Sequence, residues 1–159
     1  MTQIVSNTGP LIALAGIHQF DLLQKLFGKI TIPAAVRAEV LDEVTQKALN
    51  SSDWIATHTV QDSIAVQLLR EELDPGESEA IVLAREVNAA LLLIDERAAR
   101  RKASTLALPV IGTLGILLMA KKQALIPVLK PLLNDLRHAG FHMSDELYAQ
   151  ILHSADERE

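Results

Sequence analysis

Three carboxylates and one carboxamide stand where side-chain oxygens could gather around a phosphate. Asn7 follows the short apolar run Gln3-Ile4-Val5-Ser6, Asp95 follows Leu91-Leu92-Leu93-Ile94, and Thr113 follows Leu108-Pro109-Val110-Ile111 across Gly112. Each run reads as a strand, and in an open parallel sheet ligands bind beyond the carboxyl ends of the strands, where loops and helix N-termini converge. Glu79 falls in the first turns of a helix opened by Pro75, and Glu39 falls mid-helix after Pro33. Hard divalent cations such as Mg²⁺ take oxygen ligands, usually one or two carboxylates completed by water and substrate phosphate. Asn7, Glu39, Glu79 and Asp95 have that chemistry.

Each of these residues also has a purely structural role open to it. Asn7 and Asp95 suit helix N-caps, Glu77 is the far half of a capping box, Glu79 sits where the helix dipole favours negative charge, and Glu39 suits a solvated face. Beyond Asp95 runs the basic segment Arg97, Arg100, Arg101 and Lys102, and Lys121 and Lys122 close another helix. Such a run serves either as solvated surface or as a rim that tracks phosphates. Other chemistries are missing from the sequence. There is no phosphate-binding Gly-x-x-x-x-Gly-Lys loop, Gly112-Thr113-Leu114-Gly115 lacks the spacing of a dinucleotide fingerprint, and none of the five His falls in a His-Glu-x-x-His pattern.

The elements that must position these residues alternate along the chain. After the first strand, Asn7-Thr8-Gly9-Pro10 turns into a helix over 11–15 with Pro10 at its first position and Asn7 or Thr8 as cap. A second short helix over 20–27 stops at Gly28, the β-branched run 30–32 follows, and Pro33 opens a helix to about 44 with Val36, Val40 and Val44 on one face. Residues 54–60 alternate as an edge strand, 63–73 read as helix, and Asp74-Pro75-Gly76-Glu77 spells a capping box for a helix over 75–87 that Asn88 ends. The strands at 91–94 and 108–111 precede helices headed by Asp95 and covering 114–122. Helices over 126–136, with Pro131 in its early turns, and 144–152, with Ser144 as cap, complete the chain. Strands alternating with helices imply an α/β fold with a mostly parallel central sheet.

Composition bounds the rest. The chain has 159 residues, 49% of them hydrophobic and 22% charged, the profile of one globular domain over 1–159, with the helices of 126–152 joined to the same core and 153–159 a frayed tail. It has no Cys, which excludes thiol nucleophiles, zinc–thiolate sites and disulfide scaffolds. The formal net charge of -5 argues against coating nucleic acid by bulk attraction, and 3% aromatic residues argue against extended stacking platforms. No signal peptide or membrane span is read, so a cytoplasmic protein is expected. The apolar stretch 114–136, with Leu117, Leu118, Ile126, Leu129, Leu132 and Leu133, is either core or an interaction surface.

Five phrases in order carry a family likeness: Val5-Ser6-Asn7-Thr8-Gly9-Pro10-Leu11-Ile12-Ala13-Leu14, Ile32-Pro33-Ala34-Ala35-Val36-Arg37-Ala38-Glu39-Val40, Gly76-Glu77-Ser78-Glu79-Ala80-Ile81, Leu92-Leu93-Ile94-Asp95-Glu96-Arg97 and Val110-Ile111-Gly112-Thr113-Leu114-Gly115. From about Ile4 to Leu152 the chain resembles a PIN domain of the small prokaryotic group. The resemblance implies a three-layer α/β/α sandwich and a ribonuclease dependent on Mg²⁺ or Mn²⁺, with RNA as substrate. It also implies a homodimer and the role of toxin beside a small antitoxin protein.

Carried onto this sequence, the likeness sets Asn7 at the family's first Asp, Glu39 at its second acidic position, Glu79 at its third and Asp95 at its fourth. Thr113 takes the hydroxyl position after the last strand and is counted with these four as catalytic. Thr8, Arg97, Arg100, Arg101 and Lys102 are the implied nucleic-acid contacts. Asn7 departs from the family pattern: an amide oxygen can ligate a metal but brings no charge and cannot act as a base. The alternative reading is therefore a binding module, for nucleic acid or protein, whose catalytic site has decayed.

Overall fold

The computed structural model describes residues 2–158; Met1 and Glu159, the two ends of the expected 1–159 span, lie outside the described residues. Five short strands, β1 (Ile4–Ser6), β2 (Ile30–Pro33), β3 (Ile55–His58), β4 (Leu91–Leu93) and β5 (Val110–Ile111), pair in the order β3-β2-β1-β4-β5. Every pairing is parallel. Between and after them run α1 (Thr8–Gly16), α2 (Asp21–Phe27), α3 (Ala34–Glu39), α4 (Glu43–Asn50), α5 (Ser63–Leu69), α6 (Pro75–Glu86), α7 (Arg97–Thr105), α8 (Thr113–Lys122), α9 (Lys130–His138) and α10 (Asp145–Ser154).

The period of two along each strand divides the core. Ile4, Ile30, Ile32 and Leu93 pack with Leu11 and Leu14 of α1, Leu117 of α8 and Leu133 of α9. Their neighbours Val5, Leu92 and Ile94 pack on the opposite face with Ala80, Ile81 and Leu83 of α6 and Ala99 and Ala103 of α7. Helices thus cover both faces of the sheet, giving the expected three layers. Burying each of these large aliphatic side chains contributes about 1.5–3 kcal/mol relative to leaving it in water. The stretch 114–136 belongs to this core rather than to a free surface: Leu117, Ile126, Leu129 and Leu133 are buried, and Leu118 and Leu132 pack against them.

Local signals settle several element ends. The capping box at Asp74 and Glu77 forms with both hydrogen bonds in place, and Asn88 ends that helix at φ 51. Ser144 caps α10 by accepting the Leu147 N–H at 3.0 Å. Other ends differ from the sequence reading. α1 begins at Thr8, so Pro10 sits third in the helix, still among the N–H groups that have no intrahelical partner. The helix expected over 33–44 is two helices, because Asp42 starts a new one by accepting both the N–H and the hydroxyl of Thr45. Val36 and Val40 are buried as expected, but Val44 now lies on the outside of α4.

The helix expected to reach residue 73 stops at Leu69. α9 starts only at Lys130, with Pro131 in its first turn, where the ring clashes with nothing behind it. The tail expected to fray from 153 is docked: α10 continues to Ser154, Ala155 is buried, and Glu157 accepts hydrogen bonds from Leu129, Lys130 and Lys121. A carboxylate with three donors holds its segment in place, a signal invisible without the fold. Among the described residues no helix is long and apolar enough to cross a membrane.

Candidate active site

From β1 the chain moves outward through β2 to β3, then returns to the other side of β1 for β4 and β5. The crevice beyond β1 and β4 is therefore the point where the direction of winding reverses, the usual ligand site of such sheets. Ser6 pairs with Leu93, and the Asn7 N–H donates to the Leu93 carbonyl at 2.8 Å, so Asn7 and Asp95 leave the sheet at the same end.

Asp95 does not cap the helix that follows it; Glu96 holds that position, without a side-chain bond. Instead Asp95 reaches across to α8. The Thr113 N–H donates to Oδ1 and the Thr113 hydroxyl to Oδ2, both at 2.6 Å. α8 needs the outside help because Gly112, in its N-cap position, has no side chain to offer. A Cβ at 112 would lie 2.8 Å from Asp95 Oδ1 and 2.9 Å from Arg100 Nη1, so glycine leaves room for the carboxylate and the guanidinium together. Burial raises the Asp95 carboxyl above its ordinary range, against the lowering pull of the Thr113 bonds and the Arg100 charge.

Glu39 and Glu79 perform a reciprocal version of the same act. Glu39, the last residue of α3, accepts the Gly76 N–H at the start of α6 at 2.7 Å, and its other oxygen accepts the Thr8 hydroxyl at 2.7 Å. Glu79, in α6, accepts the Ala35 N–H at the start of α3 at 3.1 Å. Each helix supplies the carboxylate that satisfies the other's N-terminus. Gly76 makes the approach feasible, since a Cβ there would collide with the Glu39 carboxylate. The reading of Glu39 as solvated surface is thus corrected: it is half-buried and accepts a hydrogen bond on each oxygen.

Asn7 takes the N-cap position of α1, extended at φ -82 and ψ 176, yet its side chain makes no capping bond. It is 6% exposed, and its Oδ1 has no hydrogen-bond partner. A buried acceptor in that state costs about 1–3 kcal/mol. Two residues on, the Cβ position of Gly9 is 3.2 Å from Asp95 Oδ2, which brings the Asp95 carboxylate against the N-terminus of α1.

The remaining predicted residues divide. Thr113 is wholly buried and Thr8 nearly so, and both donate to acids, so they position carboxylates rather than meet a substrate. Arg97, Arg100 and Arg101 line a groove with Asp95, whereas Lys102 turns to Glu72 at 3.1 Å and leaves that surface. The sequence reading gives Glu77 only its capping role and Glu96 only that of a possible supplement to Asp95. Burial pushes the Glu77 carboxyl up; the Asp74 N–H offsets this in part, and the charges of Asp74, Glu96 and Glu39 add to it. Glu77 therefore shares the acidic field, which its capping-box spacing concealed.

Every donor at the crevice is a hard oxygen, and the unpartnered Asn7 Oδ1 with the half-buried Asp95 carboxylate has the chemistry that suits a Mg²⁺ or Mn²⁺ ion. A carboxylate offers about four lone-pair sites, so the Thr113 bonds leave Asp95 able to ligate. Among the described residues no three His, Cys, Asp or Glu side chains gather as a cation cage. The fit rests on Asn7 and Asp95, while Glu39 and Glu79 face helix N-termini.

Compared with known proteins, residues 3–157 match a family model described as a PIN domain. No curated protein matches the chain.

Proposed function

Because the chain belongs to the PIN domain family across residues 3–157, we propose that it is a metal-dependent ribonuclease acting at the crevice beyond β1 and β4. The observation that carries this reading is a buried acceptor without a partner, Asn7 Oδ1, at the sheet end where Asp95 also emerges beside an arginine-lined groove. Asp95 and Asn7 would hold the Mg²⁺ or Mn²⁺, and Glu39 and Glu79 keep lone pairs beyond the N–H each accepts, so either could add to the set without uncapping its helix. The bound cation would supply Lewis-acid charge that activates water and offsets the charge gathering on the phosphate.

The chain's own residues do the positioning. Thr113 fixes both oxygens of Asp95, and Arg100 lies close enough to bring positive charge to the same place. In the hydrolysis, water adds to phosphorus, one bond from phosphorus to a ribose oxygen breaks, and that oxygen leaves with a proton. Asn7 can orient water or cation but cannot take the proton. A small antitoxin protein and a second copy of the chain belong to the same proposal as partners.

A second reading has its own support. Asn7 is neutral where the family has an acid, and the Glu39 and Glu79 carboxylates are engaged with backbone N–H groups. These features suit a PIN module that binds nucleic acid without cutting it. The deciding experiment is cleavage of a mixed structured-RNA pool by purified protein with Mn²⁺, with EDTA, and with Asp95→Ala and Asn7→Asp. Cutting that EDTA and Asp95→Ala abolish and Asn7→Asp enhances is the result expected. Cutting by Asn7→Asp alone would establish the binding module instead.

A further inference from the structure

The groove beside Asp95 has a second wall that the arginines do not explain. It is an open groove of about 820 Å³, lined by Arg97, Arg100 and Arg101 of α7 and by Phe141 and His142 from the connection between α9 and α10. That volume is within the range of about 300–1,000 Å³ typical of pockets for small organic ligands. We propose that this groove holds an unpaired nucleotide of the substrate strand, with its phosphate against the arginines and its base against Phe141 and His142. The inference rests on the ribonuclease reading and adds to it a base-contacting subsite.

Two observations single out Phe141. The chain has only five aromatic residues, and the others are committed elsewhere. Phe20 and Trp54 pack on each other with tilted rings, Tyr148 lies under the Arg137 guanidinium, and Phe27 packs against the core. Phe141 alone of the five lines the groove.

Its placement is also built in. α9 ends at His138, Gly140 two residues beyond takes a φ of +94 that a side chain would resist, and the Phe141 N–H then closes on the Leu136 carbonyl at 2.9 Å. Phe141 is half-buried and packs against the core, so ordering it on binding costs little entropy. Next to it His142 is exposed and can hydrogen-bond a base edge. Unpaired bases are recognised by stacking on aromatic rings and guanidinium planes with hydrogen bonds to their exposed edges, which a duplex withholds. The groove also has a direction: its acid end is Asp95, so a phosphate tracked by the arginines leads toward the crevice.

The test is binding, kept apart from cutting. Fluorescence anisotropy in EDTA would compare a labelled single-stranded RNA 12-mer, the same sequence as DNA, and its RNA duplex, using the full chain. Single strands should bind more tightly than duplex. Phe141→Leu, which keeps the core contact, should weaken single-strand binding about tenfold, and His142→Ala should change the preference among homopolymers of the four bases. Arg101→Gln should weaken all sequences alike and lower the salt slope by about 1. RNA and DNA binding equally would mean that the subsite reads the base and not the sugar, and would uphold it.

Wild-type affinity in Phe141→Leu together with unchanged base preference in His142→Ala, or tighter binding of duplex, would overturn the subsite, as would no binding to any oligonucleotide. The outcomes separate the two readings. Cutting by wild type with no effect of Phe141→Leu on binding would leave the nuclease and remove the subsite. Stacking-dependent binding without cutting would do the reverse.

Discussion

Asp95 and Glu157 each reach out of their own segment to satisfy the N-terminus of a helix that has no capping side chain of its own. Asp95 serves α8 through Thr113, and Glu157 serves α9 through the N–H groups of Leu129 and Lys130 at 2.7 and 3.0 Å. Their electrostatic outcomes are opposite. Burial pushes Asp95 up and wins over its hydrogen bonds and Arg100. Burial also pushes Glu157 up, but its two backbone donors and Lys121, at 2.9 Å, hold it below the ordinary carboxylate range. One carboxylate is compensated and stabilises the fold; the other is not, and makes the fold less stable when charged. If the proposed site is right, the raised Asp95 carboxyl and the unpartnered Asn7 amide oxygen at the same sheet end are where stability would be given up for chemistry.

The sharpest way to test that contrast is Asp95→Asn. Asparagine can still accept the Thr113 N–H and can donate to the Thr113 hydroxyl, so the cap survives while the charge goes. Cleavage should fall by roughly 100-fold or more, yet in EDTA at pH 7 the melting temperature should rise by a few degrees. The sign follows from the direction of the shift. A carboxyl raised in the folded state favours folding below its unfolded value, near 3.8, and that contribution is lost as pH rises through the folded value. The variant does not titrate, so its advantage over wild type should grow as pH rises through that window and vanish below it. A variant less stable than wild type at pH 7 would place Asp95 with Glu157 instead.

Glu157→Ala should show the mirror image. Two N–H groups at the start of α9 lose their acceptor and Lys121 loses its partner, a cost of about 1–2 kcal/mol at pH 7. Because the folded-state carboxyl is lowered, the stability it contributes is present above the unfolded value, near 4.5, and is lost as pH falls through the folded value. Melting curves of wild type and variant from pH 7 to 3 should therefore converge in acid. RNA cleavage at neutral pH, well below the melting temperature, should be untouched. A cost that persists in acid would mean that packing of the tail, not the charge, is what is lost.

How these two carboxylates could be told apart beforehand depends on the range of the signal. The parallel sheet and the acids at strand ends were legible because they rest on local patterns, apolar runs for β1 and β4 and a capping box whose four residues are contiguous, whereas the strand order was not. Asn7 and Asp95 were found by their position after a strand. What they touch was not legible, since Thr113 is 18 residues from Asp95 and the α3–α6 exchange of Glu39 and Glu79 spans 37 and 44 residues. The split at Asp42 was missed because valines at 36, 40 and 44 mimic one continuous helix face. Glu157 was read as tail because nothing near it in sequence says that α9 lacks a cap.

Glu39 and Glu79 stand between the two extremes, and the smallest predicted effects decide to which they belong. Glu39→Gln and Glu79→Gln each keep an acceptor oxygen but remove the charge from a helix N-terminus, a loss of about 0.3–1 kcal/mol. α3 has only six residues, too few to be stable alone, so loosening one end of its exchange with α6 should weaken the other bond as well. The double variant should then cost less than the two single costs added, by about 0.5 kcal/mol in a double-mutant cycle read by urea unfolding. Coupling of that size with cleavage retained would group both glutamates with Glu157, as supports of the crevice. Additive, near-zero costs with cleavage lost in each single variant would group them with Asp95, as acids that hold the cation.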